Sequence, residues 1–127
     1  MKLFSKILAA AAALAFSLAA CAGEVPFDRA QFDKALAEGK PVVVDFFATW
    51  CPTCRTQKPI ISMLLKEPKL KDVIFFVANY DTEKELRKEY RVSRQATLVV
   101  FKGGKEVARS TGETRQDELE DLLDKAL

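Results

Sequence analysis

Trp50-Cys51-Pro52-Thr53-Cys54 follows an apolar run, Val42-Val43-Val44-Asp45-Phe46-Phe47, and precedes a stretch that reads as a helix from about Pro52 to Lys66. A Cys-x-x-Cys pair at a strand-to-helix junction has a chemical meaning. The first thiol, Cys51, stands at the helix N-terminus, where unpaired N–H groups and the macrodipole favour negative charge. The second, Cys54, lies one turn later, close enough to close a disulfide within one small loop. Such a pair cycles between dithiol and disulfide while the fold stays put. The stretch therefore points to thiol–disulfide exchange, with Cys51 as nucleophile and Cys54 as resolving thiol. Cys51 should be exposed, because open α/β sheets present their sites at the carboxyl ends of central strands.

Working outward, residues 42–47 are too uniformly apolar for a half-exposed strand and predict a central strand buried on both faces. Asp45 is the exception within it. Surrounded by Val43, Val44, Phe46 and Phe47, its carboxylate would be costly to bury, so its pKa should rise by desolvation. Before this strand, Glu24-Val25-Pro26-Phe27 is a short extended start. Asp28 and Gln31 form a capping-box pattern for a helix whose apolar face is Phe32, Ala35 and Leu36, with Phe27 and Phe32 as a staple and Gly39 as the stop. After it, Pro52 suits the first turn of its helix, and Pro59 inside should kink that helix. Val73 to Ala78 reads as a strand, and Thr82-x-x-Glu85 as the cap of a helix with Leu86 and Tyr90 on one face. Gly103-Gly104 joins Thr97–Phe101 to Lys105–Arg109 as a hairpin. Thr114-x-x-Asp117 opens a last helix carrying Leu119, Leu122, Leu123 and Ala126. The order is β-α-β-α-β-α-β-β-α, an α/β domain in which early strands pair in parallel and the late hairpin is antiparallel. Charged runs such as Glu83–Arg91 and Asp117–Asp121 read as solvated helix faces.

The first residues stand apart. Lys2 and Lys6 precede an apolar run, Ile7 to Ala20, which is shorter than the roughly 20 residues that span a bilayer and reads as a secretory signal over residues 1–20. Its end, Leu18-Ala19-Ala20-Cys21, resembles the lipobox of bacterial lipoproteins. That resemblance implies cleavage before Cys21, lipid on Cys21, residues 21–23 as a tether and a domain over 24–127. Ordinary cleavage after Ala20-Cys21-Ala22, giving a soluble exported protein, is the alternative. Loss of 20 of the 127 residues leaves 107, one domain's worth. It also removes two of 20 basic residues against 18 acidic ones, so the net charge of +2 falls to about zero and no basic patch argues for nucleic acid. A domain of this size can bury a core without a staple, and a three-residue spacing closes too short a loop to staple much. Zinc is a poor fit, since the chain has no histidine and no second cysteine pair.

The layout and the motif together resemble the thioredoxin family over about residues 24–127. The matching residues are Val42-Val43-Val44-Asp45-Phe46, Trp50-Cys51-x-x-Cys54, Pro59-Ile60, Phe101-Lys102-x-Gly104 and Gly112. The resemblance implies the thioredoxin fold and protein-disulfide reductase or related oxidoreductase activity, with Cys51 and Cys54 as the redox disulfide and no separate cofactor. It further implies that Asp45 handles the proton of Cys54. Trp50 would lie beside the site, with Pro52, Thr53, Gln95 and Ala96 meeting substrate.

Three departures qualify it. The strongly oxidising periplasmic relatives place a histidine where Thr53 stands; Thr53 carries no charge, which favours a reductase. The family's cis-proline position holds Ala96, so the loop either turns trans or holds a costly cis bond; the missing ring should open space above Cys51 and make metal easier to admit. The lysine that neighbours the buried aspartate in many relatives is absent from Phe75-Phe76-Val77-Ala78, so the pKa of Asp45 should be set more purely by burial. These readings converge on a lipid-anchored oxidoreductase facing the periplasm or cell exterior. It would act on disulfide-containing exported proteins, with electrons from a membrane-borne donor. The alternatives are an oxidase or isomerase, a thiol protein binding copper, and a non-catalytic adaptor.

Overall fold

Val42–Phe47, here β2, is flanked by strands on both edges. In the computed structural model, which describes residues 23–127, it pairs in parallel with β3 (Ile74–Asn79) and antiparallel with β4 (Thr97–Lys102). Beyond these lie β1 (Glu24–Pro26), parallel to β3, and β5 (Lys105–Thr111), antiparallel to β4, giving the order β1-β3-β2-β4-β5. The β4–β5 turn is Gly103-Gly104, with φ of +60° and +80°, the left-handed pair that a two-residue hairpin requires and only glycine adopts freely.

Alternation along β2 divides its side chains between two helical layers. Val42, Val44 and Phe46 face α1 (Arg29–Ala37) and α3 (Lys84–Tyr90), and pack with Phe32, Ala35, Phe76, Leu86 and Phe101. Val43 faces α2 (Pro52–Leu64) and α4 (Gln116–Asp124), meeting Ile61, Leu64, Leu119 and Leu123. The period of two thus places Asp45 and Phe47 on the α2 face. On the other face, the ring of Phe32 meets those of Phe27, Phe76, Tyr90 and Phe101 edge-on or tilted, at centroid distances of 5.4–6.1 Å. The predicted order of elements and the buried central strand are both present, with a short 3-10 turn at Pro68–Leu70 added.

Helix starts divide into those the sequence announces and two that it misplaces. Asp28 caps α1, its Oδ1 accepting from the Gln31 N–H at 2.8 Å. Thr82 and Thr114 do not act as caps. The turn after β3 is built on Asn79, whose carbonyl accepts from the N–H groups of Thr82 and Glu83, so α3 starts only at Lys84. Before α4, the Glu113 carboxylate collects the N–H groups of Thr114 and Arg115 at 3.0 and 2.8 Å. The helix α2 runs on through Pro59 and ends at Leu64. The charged runs are solvated with exceptions: Arg87 is half-buried with its guanidinium 4.2 Å from the centre of the Tyr80 ring, and Glu120 reaches Lys69 at 2.7 Å. The proposed signal, the Cys21 lipid site and nearly all of the tether lie outside the described residues.

Candidate active site

Cys51 is the N-cap of α2. Its backbone is extended, with φ −88° and ψ 112°, which turns the thiol back over the first turn, and Sγ accepts from the Cys54 N–H at 3.1 Å. Pro52 occupies the position where a missing N–H costs the helix nothing. The sulfur thus sits at the N-terminal, positive end of the helix. Cys54, one turn deeper, is also a buried free thiol. Burial, and then its hydrogen bond to Cys51, push the Cys54 thiol up to about 11, so it needs a base to become a nucleophile.

Exposure of Cys51 was expected and is not found: the residue has 0% of its surface accessible. It packs in a small cluster with Ala48, Cys54 and Ala96, against Phe47 and Tyr80. The cause lies in the 93–96 loop. Its Gln95–Ala96 bond is trans, and Ala96 adopts φ +59°, a left-handed conformation costly for a residue with a side chain. That turn points the Ala96 N–H at the Phe46 carbonyl, 2.9 Å away, which extends the β2–β4 ladder by one bond. The Ala96 carbonyl accepts from the Gly112 N–H at 2.9 Å. The loop is further tied by the Tyr80 hydroxyl donating to the Ser93 carbonyl (3.0 Å) and by Thr97 Oγ1 donating to the Arg94 carbonyl (2.8 Å). The space expected above Cys51 is therefore filled by Ala96 itself. Gln95 is half-buried beside it.

Gln57, which the sequence reading did not single out, is 1% exposed and bridges this loop to the next. Its Nε2 donates to the Glu113 carbonyl at 2.8 Å and to that of Ala96 at 3.4 Å. Its signal was positional: three residues after Cys54, it falls on the same helix face. Trp50 is 54% exposed and is no core aromatic; its Nε1 donates to Asp81 Oδ2 at 2.9 Å. Pro52 is exposed and Thr53 half-buried. Pro52 and Thr53 open α2 directly after Cys51, and Ala96 packs against Cys51 from the facing loop. Among the described residues no group of three or more Cys, Asp or Glu side chains is placed to hold a metal ion.

Asp45, 3% exposed, lies on the sheet beneath α2. Desolvation first, and then the negative charge of Glu24, raise its carboxyl to about 7, while Lys58 pulls the other way. Asp45 and Cys54 repel each other's negative form. A group that changes charge near neutrality beside a thiol in need of a base is the chemistry of general acid–base catalysis.

Two expectations follow. Asp45 binds its proton more tightly folded than unfolded, so its contribution to stability is full below the ordinary value near 3.8 and is lost as pH rises through about 7. Asp45→Asn should therefore flatten the fall in stability across that window, by up to about 4 kcal/mol at pH 8, as read by denaturant melts at pH 4 and 8. An unchanged pH dependence would mean that Asp45 is not the group responsible. Ala96→Pro should lose the bond to Phe46 and cannot adopt a positive φ, costing at least about 2 kcal/mol and lowering Tm by roughly 8–16 °C. A variant as stable as the parent would show that the loop does not hold the trans, left-handed form.

Comparison with known proteins agrees with this geometry. The family model described as thioredoxin matches residues 24–125. An H-type thioredoxin of Fagopyrum esculentum is 42% identical over 89 residues, covering 70% of this chain and 74% of its own. Thioredoxin-2 of Saccharomyces cerevisiae is 41% identical, covering 65% of this chain and 78% of its own. Among solved structures, that of Trxlp from Edwardsiella tarda EIB202 superposes with a TM-score of 0.77 at 40% identity, over 80% of this chain and 98% of that one. A strand-to-helix Cys-x-x-Cys, a five-stranded mixed sheet between two pairs of helices, and these relatives together place this chain in the thioredoxin family, as a thiol–disulfide oxidoreductase.

Proposed function

We propose that this protein is a reductase for disulfide bonds in exported proteins, held at a membrane by a lipid on Cys21. The observation that carries the direction of electron flow lies between the cysteines. A strongly oxidising pair stabilises its reduced form through a favoured thiolate. Here Thr53 supplies no charge and the chain has no histidine, so no histidine cation stands between the cysteines to hold the reduced pair. A dithiol without that support favours giving its electrons away. The export and anchoring halves of the reading are supported by the leader at Lys2–Ala20 and the lipobox-like end at Cys21.

The reaction runs in two displacements. The Cys51 thiolate attacks one sulfur of the substrate disulfide, forming a mixed disulfide and releasing the other sulfur as a thiolate. Cys54 gives its proton to the Asp45 carboxylate and attacks the Cys51 sulfur. The second substrate thiolate leaves, and two electrons have passed from the pair to the substrate. Asp45 then yields its proton to the departing thiolate or to solvent. Trp50, Pro52 and Thr53, adjacent to Cys51 in the chain, and Gln95 and Ala96 of the loop packed against it are the surfaces a substrate chain meets. Electrons for the next cycle come from a membrane-borne donor that reduces Cys51–Cys54.

The reduction potential of Cys51–Cys54, read together with the reduction of insulin, tests the direction. A value around −270 mV, the general figure for thioredoxin itself, with insulin reduced, is expected. A value around −120 mV would make the protein a disulfide donor instead. Anchoring is tested by Cys21→Ser, which should abolish incorporation of radiolabelled fatty acid and release the protein from membranes. Unchanged membrane association would remove the anchor from the reading.

A further inference from the structure

Val77 stands opposite Asp45 on β3 and Leu98 opposite it on β4, both uncharged, so the sheet itself offers the carboxyl no ionic partner. Two charges reach its surroundings from elsewhere. Glu24 comes from β1: it is in register with Phe75, which is in register with Val43, so Glu24 and Asp45 project from the same face with β3 between their strands. Lys58 comes from α2, one turn beyond Cys54 and above that same face. The two meet, with Lys58 Nζ 3.1 Å from Glu24 Oε2, and Nζ also lies 4.9 Å from the centre of the Phe47 ring. With Cys54, they are the titratable and charged groups that face Asp45 from the packed elements.

As a stabilising device this pair makes little sense. Exposed ion pairs contribute about 0–1 kcal/mol, and the Lys58 side chain is 44% exposed. Glu24, by contrast, is turned inward. Its side chain is 18% exposed, and its second oxygen, Oε1, is buried with no hydrogen-bond partner among the described residues. Asp45 Oδ1 is in the same condition. Two carboxyl groups on one sheet face, each with a buried oxygen that no described residue bonds, oppose each other, a cost that a solvated salt bridge would avoid. Exposure falls inward from Lys58 to Glu24 to Asp45, which places the pair between solvent and the buried acid.

We propose that Glu24 and Lys58 are positioning residues for the exchange reaction, an opposed charge pair that sets the protonation of Asp45 and through it the readiness of Cys54 to lose its proton. This rests on the reading of Asp45 as the base for Cys54. The directions agree with it, since Glu24 raises the carboxyl and Lys58 lowers it. Their mutual contact sets the two opposed effects against each other around a carboxyl that burial has already raised. Neither residue touches the reacting sulfurs; both act through Asp45.

The test follows Asp45 and the chemistry separately in the full chain. Carboxyl carbon NMR gives the Asp45 titration. Single-turnover release of thionitrobenzoate from a mixed disulfide on Cys51 gives the pH profile of resolution: Cys54 attacks, the aromatic thiolate leaves, and the Cys54 proton goes to Asp45. Glu24→Gln should move both midpoints down, and Lys58→Met should move both up, each by roughly half to one unit, the size of single charges acting across a partly solvated site. The double variant should return close to the parent. Unmoved midpoints in both single variants, or shifts of the same sign, with the inflection still lost in Asp45→Asn, would overturn this inference alone. An inflection that survives in Asp45→Asn would bring down the Asp45 reading and this inference with it.

Discussion

Burying a carboxyl group on a strand that has neighbours on both edges and helices over both faces is the constraint on which the site depends. Asp45 cannot turn away from the α2 face, because Val44 and Phe46 already commit the alternate positions of β2 to the opposite core. A one-residue slip would reverse every one of those assignments. The hydrophobic cores on the two faces therefore fix where the acid lies, and desolvation at that spot does the rest. Packing and acid–base chemistry are here one problem. The same side-chain alternation that holds the sheet together brings a neutral-pH titrating group under the helix that carries both thiols.

The helix contributes in the complementary sense. Its first turn offers the Cys54 N–H to Cys51, while its second cysteine lies deep enough that burial opposes ionisation. One short segment thus makes two identical side chains chemically unequal. Their roles as attacker and resolver follow from depth along the helix axis rather than from any difference in the residues themselves.

Much of this was legible in the sequence, for particular reasons. The run at 42–47 is apolar enough to demand burial on both faces, and a lone aspartate within it can have only a raised proton affinity. The Gly103-Gly104 hairpin and the Asp28 cap are local chemistry, readable without a fold. Thr82 failed as a cap because a turn on the Asn79 carbonyl holds the Thr82 and Glu83 N–H groups and delays the helix to Lys84, and before α4 the Glu113 carboxylate likewise holds the N–H groups of Thr114 and Arg115. Competition between adjacent polar residues has no periodicity to betray it. Glu24 was invisible for a different reason. Its nearness to Asp45 comes from two parallel pairings across β3, between residues far apart in the chain. Ala96 was recognised as a departure from the family. That its N–H would be drawn to Phe46, pulling the loop over Cys51, depends on the trans, left-handed turn and could not be read from the residue type.

The closed loop has a kinetic meaning. A sulfur with no accessible surface offers no line of approach for the in-line displacement that disulfide exchange requires. Exchange at Cys51 therefore requires its contact with Ala96 to give way, and Ala96 is tied to Phe46 and to Gly112 through its N–H and its carbonyl. Those two backbone bonds bear on access to the thiol as much as on the fold: the loop that closes the sheet edge is also the gatekeeper of the sulfur.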